Sequence, residues 1–211
     1  MSPHSQSRPR YFLRLARFAR DKKGVATIEF AFLIPLLMLM AFGTFEIGRA
    51  VIVHKRLQRA TDMVADLVAR EEKLGTTVQE AKDELAGIMR AAEHSMFPYA
   101  TAPLKMGVMS VRASIALPVT TTVEWSYKYH NKTGVPLCPA PKTMPQTGMV
   151  QPGNAVIMVE SEYLYTPLLT NIIPGLVGPM TIKDSMIYAP RNACVDVAGH
   201  NCAGGCAPSL N

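Results

Sequence analysis

Four cysteines, Cys138, Cys194, Cys202 and Cys206, all fall in the last third of the chain, and His200 stands among the last three. Two chemistries suit that grouping. Thiolates with an imidazole can hold zinc, whereas an even number of cysteines gathered in one region of a chain outside the cytoplasm reads as disulfides. C-x7-C-x3-C with a histidine is more simply a disulfide tail, so no metal is expected. Four cysteines allow three connectivities. Local closure favours Cys202 with Cys206, across the bend that Gly204-Gly205 permits, which leaves Cys138 with Cys194 to tie a proline-rich loop to the last strand.

Other reactive side chains do not assemble into a recognisable catalytic pattern. Glu160 and Glu162 flank Ser161 in an alternating run, so both point to one face, and they read as an exposed charged edge rather than an acid–base pair. The stripe Trp125, Tyr127 and Tyr129 has the faces to stack on sugars, but its polar partners Glu124, Ser126 and Lys128 make core packing the better reading. There is no G-x-S-x-G, no H-E-x-x-H and no glycine-rich phosphate loop. No enzymatic activity and no cofactor are expected.

Charge and hydropathy point instead to a membrane. Hydrophobic residues make up 48% of the 211 residues and charged ones 18%, too apolar for disorder and high for a wholly soluble domain. The net charge of +6 is concentrated ahead of residue 24, in Arg8, Arg10, Arg14, Arg17, Arg20, Lys22 and Lys23, with Asp21 opposing them. Such clustering suits membrane orientation, not a nucleic-acid face. Val25 to Phe45 then reads VATIEFAFLIPLLMLMAFGTF, whose single charge is Glu29. At ~1.5 Å per residue it spans about 30 Å, one bilayer crossing. A cleaved signal peptide is the competitor, but the apolar run is long for one, and Phe42-Gly43-Thr44-Phe45-Glu46 is a poor peptidase target. Basic residues before the span predict an N-in, C-out topology, and the cysteines agree with an oxidising compartment beyond it. Within the span, Glu29 needs either the headgroups or a cationic partner, and Pro35 removes a donor facing the Ala31 carbonyl.

The ordered string Lys22-Lys23-Gly24, Val25-Ala26-Thr27-Ile28-Glu29-Phe30 and an apolar helix resembles the processing site of the type IV pilin superfamily. The fuller string GVATIEFAFLIPLLMLMAFGTFEIGR resembles the TadE/TadG-like pseudopilins of the Flp (tight adherence, Tad) pilus system, through G-x-A-x-x-E-F, Pro35 and the later Glu46, Gly48 and Arg49. The runs AVIMVESEYLYTPLL and MTIKDSMIYAPRN are similar to the paired strands that close many such chains. The resemblance implies cleavage by a prepilin peptidase between Gly24 and Val25, with Glu29 at the fifth mature position. It also implies that the new α-amino group of a neighbouring Val25 neutralises Glu29 and sets register during assembly.

The remaining pattern supplies a fold to hold these residues: α+β, with a long N-terminal transmembrane and stalk helix, a second amphipathic helix and a small antiparallel sheet. Leu57, Ala60, Val64, Leu67 and Val68 recur at helical spacing, so the first helix should run on to about Lys73, with Gly75 ending it. Thr77 and Glu80 form a capping box for a second helix with Val78, Ala81, Leu85, Ile88, Met89 and Ala92 on one stripe. Alternation then predicts strands: Met109, Val111, Ala113, Ile115 and Leu117 on one face; Val123, Trp125, Tyr127 and Tyr129 on one face; then Ala155–Tyr165 and Met180–Tyr188. Gly134–Gly153, with five prolines, should be a loop. The expected segments are 1–24 as a basic cytoplasmic leader, 25–46 as the span, 47–93 as helical stalk and second helix, 94–192 as the sheet domain, and 193–211 as a cysteine-rich tail.

The expected function is that of a minor pilin-like subunit that assembles or primes a Flp/Tad-type pilus. It would be anchored in the bacterial inner membrane with its C-terminal domain in the periplasm. Its partners would be other pilins and pseudopilins, the prepilin peptidase, the inner-membrane assembly platform and membrane lipid, with no nucleic acid. The alternative is a membrane-tethered periplasmic binding or adhesive module not processed at Gly24.

Overall fold

A computed structural model describes residues 23–211 apart from Thr147, Ile173, Pro174, Leu176, Ala203 and Gly204. The basic leader, as far as Lys22, and Gly204 therefore lie outside the described residues. The chain divides into two compact units, the first ending at Phe45 and the second running from Glu46 to Asn211.

Helix α1 covers Lys23–Arg70 with Pro35 inside it. In the first unit its side chains from Gly24 to Phe42 are all exposed, apolar ones included. Hydrophobic all round and uncovered among the described residues, this stretch has the length and composition of a membrane span. In the second unit the same helix is amphipathic, burying Val53, Leu57, Ala60, Val64 and Val68 at spacings of three and four. It ends at Arg70, three residues before the predicted limit, because Lys73–Leu74 form a short strand, β1, instead. Gly75 then turns the chain into the next helix rather than closing the first: its φ is +60°, and a Cβ there would lie 2.4 Å from the Ala81 amide nitrogen. Only glycine fits that turn.

Helix α2, Val78–His94, begins with the predicted capping box, Thr77 accepting from the Glu80 amide while Glu80 accepts from the Thr77 amide. It buries Ala81, Leu85, Met89 and Ala92. The sheet follows as β2 (Leu104–Ala113), β3 (Thr121–Tyr129), β4 (Ala155–Tyr165) and β5 (Met180–Tyr188), antiparallel throughout in the order β3-β2-β4-β5. A one-turn helix, α3 (Leu169–Ile172), lies in the β4–β5 connection. One face of the sheet carries Leu104, Met106, Val108, Trp125, Ile157, Val159, Tyr163 and Tyr165 against α1 and α2, forming the main core.

Two expectations about the strands are corrected. First, β2 stops at Ala113, so Ile115 and Leu117 do not continue its inward face; they sit in the hairpin tip, 83% and 87% exposed. Second, Val123 and Trp125 face opposite sides. Ser110 pairs with Trp125 and Val111 with Val123, so Glu124 is an extra residue, a β-bulge that reverses the alternation. Val123 joins a second cluster with Met109, Val111, Val156 and Met158 on the other face.

That second face is covered, which one-sided alternation does not anticipate. Val135 and Val150 of the proline-rich segment complete the cluster. Gly107 makes room for it, since a Cβ there would meet the Val135 Cγ2 at 2.4 Å. The C-terminal residues are likewise part of the fold rather than a free tail. Asp196–Val197 form β6, parallel to β1, and Val195, Val197, Ala207 and Leu210 enter the main core.

Candidate functional site

The chemistry-bearing residues fall into three places, none of them a catalytic cleft. In the first unit, Gly24 and Val25 lie in the first turn of α1, and Glu29, Phe30 and Pro35 follow along it, all exposed. No Cβ at Gly24 would meet an atom of the described residues within 4 Å. By length and composition this helix can cross a membrane. Its exposed carboxylate then sits among apolar side chains, which makes a partner for it energetically valuable.

The second place is the motif Glu46, Gly48 and Arg49, at the start of the second unit. Glu46 is a buried carboxylate, 8% exposed. Tyr165, at the end of β4, donates its hydroxyl to Glu46 Oε1, and the Leu168 amide donates to Oε2 at 3.1 Å. Arg49 Nη1 stands 3.7 Å from Oε1, an ion pair outside hydrogen-bond range. Burial above all, and then the bond to Glu46, push the Tyr165 hydroxyl up to about 12. The motif therefore fastens α1 to the far end of the central strand. Gly48 takes no part: a Cβ there would touch nothing within 4 Å. Tyr165 and Leu168 are contacts that spacing could not reveal, since they lie well over a hundred residues from Glu46; a motif glutamate just past an apolar span was the available signal.

Cysteines form the third place, and their pairing differs from expectation. Cys138 is bonded to Cys206 and Cys194 to Cys202, with Cα separations of 5.5 and 6.1 Å. The reason is the packing of the C-terminal segment. Ala207 donates its amide to the Glu124 carbonyl, and Asn211 Nδ2 donates to the Ser126 carbonyl, laying the segment along β3 beside the loop that holds Cys138. Between Cys194 and Cys202 the chain doubles back through positive-φ residues Ala198, Gly199, Asn201 and Cys202, and Asp196 Oδ1 accepts from the Asn201 amide at 2.6 Å. Short-range closure by Gly204-Gly205 was outweighed by these long-range contacts. With every cysteine in a disulfide, none is free as a thiolate ligand. Among the described residues no group of three His, Cys, Asp or Glu side chains is placed to hold a metal ion.

Glu160 and Glu162 also depart from expectation. They lie on β4, an inner strand, not on an edge. Glu160 pairs with Lys142 and Glu162 with Lys132 at 3.2 Å, tying the proline-rich segment and the β3 exit to the sheet. Trp125 is core, donating its indole N–H to the Val195 carbonyl at 3.3 Å, while Tyr127 and Tyr129 pack against the same core half-buried. Stacking on a sugar is not available to the indole.

Comparison with known proteins agrees with the N-terminal features. Residues 24–66 match the family described as TadE-like protein. No curated protein and no solved structure matches the chain. The matched segment runs from the Gly24 junction through Glu46, Gly48 and Arg49 and into the amphipathic half of α1. Over that segment the chain is similar to the TadE-like family, which is associated with the Tad pilus. That family is structural and pilus-related rather than enzymatic.

Proposed function

We propose that the chain is a minor pilin-like subunit that assembles or primes a Flp/Tad-type pilus. In this reading residues 1–24 are a cytoplasmic leader removed by a prepilin peptidase at Gly24, residues 25–46 cross the inner membrane, and the remainder is periplasmic. The observation that carries it is the all-round exposed apolar helix that starts at the Gly24–Val25 junction inside the TadE-like segment. Among the described residues the side chains of this helix from Gly24 to Phe42 are all exposed. Lipid covers it before assembly, and the helices of other pilins and pseudopilins cover it afterwards. Glu29 would meet the α-amino group of a neighbouring Val25, a pairing that fixes one register because a buried charge left alone is costly. The disulfides fit an oxidising compartment for the second unit.

The test is Glu29→Gln, which keeps size and removes charge. Membrane insertion should be unchanged, while pilus number should fall. Native pilus numbers would remove the assembly role of Glu29.

A tethered binding or adhesive module is the second reading, favoured by the exposed Ile115 and Leu117 at the hairpin tip. A tether gains nothing from a free amine at Val25, so processing separates the two.

A further inference from the structure

The two edges of the four-stranded sheet are finished differently. Along β3 the chain closes its own edge. The Val123 amide donates to the Ala140 carbonyl and the Lys142 amide to the Thr121 carbonyl, both at 3.0 Å, and the Ala207 amide donates to the Glu124 carbonyl at 3.1 Å. At the other edge, β5 runs nine residues in unbroken register with β4, without a bulge or a proline. Among the described residues none of its N–H or C=O groups bonds to backbone outside that ladder. Alternate residues of an edge strand aim both groups outward, a row that only another extended backbone matches along its length.

Charge says what kind of strand fits. Asp184 stands at the middle of β5, opposite Ser161, on the face that carries Ile182, Met186 and Tyr188 against the main core. Its Oδ2 is shut off from solvent yet has no hydrogen-bond partner among the described residues. A carboxylate oxygen held in that way is costly until a donor reaches it. A strand added beside β5 brings a side chain to the same face, its Cβ about 4.5–5.5 Å from that of Asp184. The flank there is acidic, since Tyr188 donates its hydroxyl to Asp62 Oδ1 at 2.6 Å. Lys183, the one cation of β5, points to the opposite face.

We propose that the free edge of β5 takes up an extended strand of another protein, one that carries a lysine or arginine opposite Asp184. The surface lies wholly in the second unit, so the proposal stands apart from membrane anchoring and from processing at Gly24. A second copy pairing β5 antiparallel with itself does not supply the donor. Directly opposed residues of a continuous sheet share a face, so Asp184 would meet Met180, Ile182, Asp184, Met186 or Tyr188 of the copy, none of them a cation.

The probe is a peptide of alternating valine and threonine, matched to β5 in length, with lysine at its centre. It is added to the full chain in detergent while amide hydrogen exchange along β5 is followed. The outward amides of β5 should exchange about tenfold more slowly with the peptide, and the same peptide N-methylated along its backbone should have no effect. Asp184→Asn should weaken binding of the lysine peptide about fivefold, the size of a cross-strand charge pair. Asp184→Lys should instead prefer a peptide with central glutamate, and either variant gives the comparison should the other misfold. Unchanged β5 exchange at the highest soluble peptide concentration would overturn the proposal. Equal effects of the lysine and glutamate peptides on the native chain would overturn the cationic partner. Slowing without peptide that grows with protein concentration would overturn the proposal in favour of a second copy.

Discussion

Tyr165 donates its hydroxyl to Glu46, so the last residue of the central strand is bonded to the first residue of the second unit. The bond joins the TadE-like segment to a part of the chain that the family match does not reach. It also explains a motif glutamate in terms of folding: Glu46 holds the sheet to its helix.

Replacing Glu46 by Ala strips the acceptor from two donors at once. A hydrogen bond to a charged group is worth about 1.5–3 kcal/mol, so the loss should be about 3 kcal/mol in the stability of the second unit. Tyr165→Phe, which leaves the Leu168 bond, should cost less, about 1–2 kcal/mol. Trp125 is the single tryptophan and is 3% exposed, so its emission during urea unfolding reads this unit. Equal stability of Glu46→Ala and the native chain would show that the bond carries no weight.

The same pair sets an alkaline limit. Burial and Glu46 raise the folded Tyr165 hydroxyl to about 12, above its ordinary value of 10. Between these values the unfolded chain has lost the proton and the folded chain has kept it. The stabilisation is therefore complete below pH 10 and is lost as pH rises toward about 12. Tyr165→Phe should lose less stability over that window than the native chain. Identical slopes would place the limit elsewhere.

For the disulfides, the larger closed loop should matter more. Cys138–Cys206 spans 68 residues and Cys194–Cys202 spans 8, which in the chain-entropy account correspond to about 4 and about 2.5 kcal/mol. Cys206→Ala should thus destabilise more than Cys202→Ala. Whether Cys202 pairs with Cys206 is read by unreduced digestion at lysine, arginine and before Asp196. The observed bonds join the fragments holding Cys138, Cys194 and Cys202 with Cys206; a Cys202–Cys206 bond would release the last fragment alone.

Two glycines should respond oppositely to alanine. Gly48 is helical, exposed and uncrowded, so Gly48→Ala should leave the fold as stable or add about 0.5–1 kcal/mol. Any loss of pilus assembly in that variant then reports a neighbouring helix. Gly75→Ala forces a side chain into a left-handed turn against the Ala81 backbone and should cost at least about 1–2 kcal/mol. Thermal unfolding of the two variants checks both.

Local pattern carried much of this fold because its signals are local. The Thr77–Glu80 capping box and the limits of Ala155–Tyr165 and Met180–Tyr188 were legible in residue types alone. What escaped depends on contacts distant in sequence. A bulge at Glu124 is invisible to a period of two, yet it sends Val123 to the second face. Coverage of that face by Val135 and Val150 turns on where a proline-rich loop lands. The disulfide connectivity follows from the C-terminal residues docking on β3, which glycine spacing does not encode. At the candidate site Glu46 was marked by its motif, but its partners Tyr165 and Leu168 emerge only on folding.

Pilin-type processing at Gly24 is tested most directly by the intact mass of the protein recovered from membranes of cells with an active prepilin peptidase. The account predicts a mature chain beginning at Val25, and a longer product when Gly24 is replaced by a bulky residue. Recovery of only the full Met1–Asn211 chain would contradict it.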